Sequence, residues 1–94
     1  MIDLVFDAGR ATTVEEINTA LKAAAEGPMK GVLGYTTAPL VSADFNHDAH
    51  SSTVSADGTN VTDGTMVRVL SWYDNEWGFA TRMSDTALHM AKFL

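Results

Sequence analysis

The chain of 94 residues contains no cysteine. That excludes disulfides, thiolate metal ligands and any thiol nucleophile supplied by these residues. Basic residues are scarce: six Lys and Arg stand against twelve Asp and Glu, for a net charge of −6. A surface of that sign disfavours nucleic acid and anionic membrane surfaces as partners. Arg10, Arg68 and Arg82 are scattered and form no patch along the sequence. No run approaches the roughly 18 apolar residues of a membrane span. The N-terminus carries Asp3 and Asp7 where a signal peptide would have a basic region and an apolar run. No export signal is therefore expected, and a cytoplasmic location is the default. Neither common phosphate cradle occurs, G-x-G-x-x-G or G-x-x-x-x-G-K-S/T, and no serine stands in a nucleophile elbow. From its own residues the chain shows no self-contained active site.

What is present is a foldable sequence. Apolar residues make up 46%, which fits a globular protein and argues against disorder. The length bounds a single domain over residues 1–94. Ile2 to Asp7 places Ile2, Leu4 and Phe6 on one side and reads as a strand. Its start almost at Met1 hints at a chain cut within a larger domain. Thr13-Val14-Glu15-Glu16 matches a capping box, in which the Thr13 hydroxyl accepts from the Glu16 amide and the Glu16 side chain reaches back. Val14, Ile17, Leu21 and Ala24 follow at helical spacing, and Gly27-Pro28 stops the helix. Residues 31–37 read as a second strand, 41–52 as a polar loop, and 52–56 as a short strand. Asp57-Gly58 signals a turn of hairpin type and Asp63-Gly64 a second turn, and Thr59–Thr62 between them is a segment that could add one more strand to the main order.

The most committed stretch comes next. Residues 65–73 are the longest expected strand, and a helix is expected from about Glu76 to the end. Its apolar face is Phe79, Met83, Ala87, Met90 and Leu94. Between strand and helix lies Asp74-Asn75-Glu76, flanked by Trp72, Tyr73, Trp77 and Phe79. Four of the chain's eight aromatics thus bracket one polar triplet. Rings beside a turn are ordinarily core anchors, and Asn75 would then serve as a helix N-cap. The same packing would also fix the triplet as a candidate site. The order β-α-β-β-β-α predicts an α/β class of α+β type. The sheet is expected to be mostly antiparallel or mixed, with two helices on one face.

His47-Asp48-Ala49-His50, with Asp44 nearby, is the obvious ligand cluster for zinc or a similar ion. No known ligand spacing matches it, and the expectation is a hydrogen-bonded loop without a functional metal. His89, between apolar positions of the last helix, reads as a partly buried or interfacial histidine.

Ser71-Trp72-Tyr73-Asp74-Asn75-Glu76-Trp77-Gly78-Phe79 is similar to the signature near the C-terminus of phosphorylating glyceraldehyde-3-phosphate dehydrogenases. Thr13–Asn18 through Ala23–Tyr35 resembles the helix-strand unit of that family, and Pro39–Ser52 the loop that follows it. The resemblance covers essentially the whole chain and points to a bacterial type. It implies that residues 1–94 form the C-terminal part of a catalytic domain, with no NAD-binding Rossmann domain among them. The family's nucleophilic cysteine, its histidine base and its phosphate-binding residues precede this segment. None of His47, His50 or His89 matches the base, so no catalytic residue carries over. Asn75 does carry over, as the asparagine that contacts the nicotinamide carboxamide of NAD. Phe79 stands where many members have tyrosine beside the nicotinamide. The resemblance further implies an oligomer, usually a tetramer, whose partners are the rest of the dehydrogenase and its subunits. The chain alone is expected to be inactive. The alternative expectation is a non-catalytic, self-associating module with open sheet edges.

Overall fold

A computed structural model describes all 94 residues. Strand β1 (Ile2–Asp7) is followed by helix α1 (Val14–Glu26), then β2 (Leu33–Thr36) and β3 (Ser52–Ser55). The two strands of a hairpin come next, the short β4 (Asn60–Thr62) and the longest strand, β5 (Met66–Trp72), and helix α2 (Asn75–Ala91) closes the chain. The short segment near Thr59–Thr62 is thus a true strand, and the order gains a fifth one. The sheet runs β1-β5-β3-β2, with β4 also on β5. It is mixed: β2 and β3 are parallel, and every other pair is antiparallel.

Helix α1 begins as its sequence dictates. Thr13 is the N-cap, and its hydroxyl accepts from the Glu16 amide at 3.2 Å. The reciprocal half of the box does not form. The Glu16 carboxylate instead accepts from the Thr12 hydroxyl at 2.8 Å and from Arg10 at 3.2 Å, the latter a charge-assisted bond. Gly27 caps the other end.

The Asp57-Gly58 turn is real, but it does not make a hairpin. Ala56–Gly58 forms a single 3-10 turn, and β3 and β4 do not pair with each other. Both lie on β5, with Thr53 opposite Trp72 and Asn60 opposite Arg68. The two are one interrupted strand, and the 3-10 turn is the extra length bulged out of its register. The hairpin lies at the second turn signal: Asp63 and Gly64 both have positive φ, 54° and 77°, the backbone that Asp-Gly favours between paired strands.

The core follows β5. Val67 has no exposed surface and pairs with Phe6 of β1 on one side and Val61 of β4 on the other. Phe45, from a 3-10 turn at Ser42–Phe45, is buried and stacks on Trp72 with ring centroids 5.6 Å apart. Elsewhere the apolar surface is left open. Ile2, Leu4 and Val5 of β1 are exposed, as are Phe79, Met83, Leu88 and Met90 of α2. The only buried residue of α2 is Gly78. No helix is long and apolar enough to cross a membrane.

Candidate functional site

The polar triplet sits where β5 ends and α2 begins. Asp74, and not Asn75, is the N-cap of α2. Its Oδ1 accepts from the Trp77 amide at 3.0 Å, as capping requires. Its Oδ2 accepts from the His47 amide at 2.9 Å, across 27 residues. One carboxylate therefore ties the helix start to the loop before β3. His47 is held in a left-handed backbone conformation, φ 65°, which non-glycine residues rarely adopt. Its ring lies against Trp77, tilted by 33° at a centroid distance of 4.5 Å.

The same loop is fastened a second time. Asp48 accepts from the His50 amide at 3.0 Å and from the Thr53 hydroxyl at 3.2 Å, and its Oδ1 lies 2.7 Å from His50 Nδ1. The backbone at His50 in turn lies against Gly78 so closely that a Cβ there would sit 3.0 Å from the His50 carbonyl oxygen. Arg82, on the next turn of α2, donates to the Gly31 carbonyl at 3.1 Å and pairs with Asp85 at 3.0 Å. The start of α2 and residues 45–51 thus form one bonded unit.

Asn75 is the first residue of α2 and is exposed. The hydrogen bonds that fix the helix start belong to Asp74 and leave the Asn75 amide free. Phe79 lies four residues on, hence one turn along the same face, and is 67% exposed. The two residues form a small polar-aromatic platform. The histidine cluster does not converge. His47 faces Trp77 while His50 faces Asp48, and no group of three or more His, Asp or Glu side chains is arranged to hold a metal. His89 is exposed and meets Phe93 edge-on at 5.4 Å.

The two bridging carboxylates have altered acidity. Hydrogen bonds from the Trp77 amide, and then from the His47 amide, hold the Asp74 carboxyl below the ordinary carboxylate range. Burial pushes the Asp48 carboxyl up, but the bonds from the His50 amide and ring and from Thr53 outweigh it, and the net shift is downward. A group with a depressed folded-state pKa stabilises the fold above its unfolded pKa and loses that contribution as pH falls through the folded value. The Asp74 bridge is therefore intact at neutral pH and opens only in acid, below about pH 4. In an NMR titration the amide shifts of His47 and Trp77 are expected to move together with the Asp74 carboxyl carbon, in one step in that window. Two amides that titrate independently would show that Asp74 does not join them.

Sequence reading singled out Asn75 but missed the bridge. Asp74 could have been read as a cap from its place three residues before Trp77. Its second partner had no local signal, because only the folded chain brings His47 beside it.

Residues 1–75 match the family model described as glyceraldehyde 3-phosphate dehydrogenase, C-terminal domain. The glyceraldehyde-3-phosphate dehydrogenase of Cereibacter sphaeroides is 64% identical over 94 residues, covering 100% of this chain and 28% of the relative. That of Xanthobacter flavus is 62% identical over 92 residues, 98% of this chain and 28% of the relative. Glyceraldehyde-3-phosphate dehydrogenase 1 of Bacillus subtilis is 51% identical over 92 residues, with the same coverage of 98% and 28%. The chain spans a little over a quarter of the length of these relatives. With a family model over most of its residues and whole-chain similarity to such enzymes, the chain belongs to the glyceraldehyde-3-phosphate dehydrogenase family.

Proposed function

We propose that these residues are the coenzyme-positioning C-terminal part of an enzyme that oxidises and phosphorylates glyceraldehyde 3-phosphate with NAD, in cytoplasmic glycolysis. The observation that carries the reading is the exposed Asn75, fixed on a rigid helix start with its amide unused. A primary amide offers one acceptor oxygen and two N–H donors. A carboxamide is its complement, so the residue fits the nicotinamide end of the coenzyme. When bound, the coenzyme supplies the hydride acceptor. The chain's own part is to orient: Asn75 bonds the carboxamide, and the Phe79 ring one turn away covers an apolar edge. The Phe79 ring has no hydroxyl, so it contributes contact and no hydrogen bond.

The chemistry itself lies outside this chain, which has no cysteine to act as nucleophile. The open apolar faces of β1 and α2 fit a segment that is covered by the rest of the dehydrogenase and by neighbouring subunits. The same exposed β1 supports a second reading, a module that associates through its open strand.

The test uses the full-length dehydrogenase that contains this segment. Asn75→Ala is expected to weaken NAD binding about threefold to tenfold, the worth of one hydrogen bond. The isolated 94 residues are expected to give no turnover with NAD, phosphate and glyceraldehyde 3-phosphate. Unchanged NAD affinity in Asn75→Ala, or turnover by the isolated chain, overturns the reading.

A further inference from the structure

We infer that Asp74 is a positioning residue for the coenzyme: by clamping the loop at His47 to the first turn of α2, it sets the direction in which Asn75 presents its amide. The inference rests on the reading of Asn75 given above. Capping a helix needs one side-chain oxygen, and Oδ1 supplies it to Trp77. The second oxygen has a different use, since it bonds the amide of a residue 27 positions away. That residue, His47, stands in a left-handed conformation, which brings its N–H to the carboxylate and its ring onto Trp77. Backbone in this region persists where the surroundings over-determine it, and such positions gather at functional sites. Here the surroundings are the carboxylate and the indole.

Asn75 is the next residue in the chain. It has no bond of its own to hold it, so the orientation of the first turn decides where its amide points. Cap and bridge together fix that turn at two points instead of one. An ionised carboxylate is the side chain that suits the task, because it accepts at both oxygens and offers no competing donor. Serine would keep the cap but lose the bridge. Asparagine would turn an NH2 group toward one of the two amides.

The experiment measures NAD dissociation constants by titration on the full-length dehydrogenase. Asp74→Ser is expected to weaken NAD binding about tenfold, the larger end of a single hydrogen bond's effect, while the melting temperature stays within a few degrees. In an Asn75→Ala background the same change should add nothing, because the group it positions is gone. Asp74→Asn gives a second, isosteric variant should the serine variant fold poorly, with the same expectation. Wild-type affinity in both Asp74 variants, with Asn75→Ala still weakened, overturns this inference and leaves the function reading standing. An equal loss in both backgrounds also overturns it, because Asp74 would then act independently of Asn75. Wild-type affinity in Asn75→Ala alone overturns the function reading, and this inference with it.

Discussion

Val67→Asp is expected to remove the folded enzyme altogether. Val67 has no exposed surface, and the row Phe6–Val67–Val61 crosses the centre of the sheet. A carboxylate placed there meets two apolar neighbours and no donor. Burying an unpaired charge is among the few mechanisms that exceed about 4 kcal/mol, against a total stability of roughly 5–15 kcal/mol for a domain. The full-length dehydrogenase carrying Val67→Asp should appear in the insoluble fraction. Val67→Ala removes two methyl groups and leaves a small void, at about 2 kcal/mol, so it should remain soluble with a lower urea midpoint. Equal midpoints for Val67→Asp and wild type would mean that this row is not the core.

Gly78→Val should leave the sheet intact and weaken coenzyme binding. The position faces the His50 carbonyl and the Ser51 Cα, both backbone, so neither can rotate aside. A single Cβ at 3.0 Å from the carbonyl oxygen is already tight. For alanine, the gain in helix propensity of about 1 kcal/mol relative to glycine offsets much of that crowding. Valine adds two further methyls that only a shift of the helix can accommodate, at about 1–3 kcal/mol. The shift pulls Asp74 away from His47 and parts the Trp77 and His47 rings. The expected result is an NAD affinity reduced at least about tenfold, because the Asn75 bond and the Phe79 contact are lost together, with unchanged far-ultraviolet circular dichroism and altered Trp77 fluorescence. Native affinity in Gly78→Val would show that the packing of α2 on the loop has no bearing on the site.

How far the sequence led depends on the range of the interaction. The extent of helix α1 was legible, because Thr13, the apolar spacing and Gly27 act within one or two turns. The capping box was half legible: the hydroxyl of Thr13 behaves as its pattern says, whereas Glu16 chooses between nearby donors by geometry. The Asp57-Gly58 signal named a turn correctly but not its consequence. Whether two strands flanking a turn pair with each other or with a third is decided by β5, and no local residue encodes that choice. The mixed α+β sheet was legible from the order of elements. The triplet drew notice through its aromatic flanks, and Asn75 through its resemblance to a family signature. The Asp74–His47 bridge joins residues 27 positions apart and left no trace in either neighbourhood. In the histidine loop adjacent side chains diverge: one ring lies on Trp77, the other on Asp48.

The antiparallel pairing of β1 with β5 runs from Ile2 opposite Ser71 to Asp7 opposite Met66. A ribosome therefore makes the first of these strands roughly 60–70 residues before its neighbour, a wait of about 3–14 s at usual elongation rates of about 5–20 residues per second. Throughout that interval β1 waits for β5, and distant pairings of this kind are slow to close even once both halves exist. The β1–β5 ladder spans the greatest sequence distance of any pairing in the sheet, and the order of synthesis adds a delay of seconds to its closure.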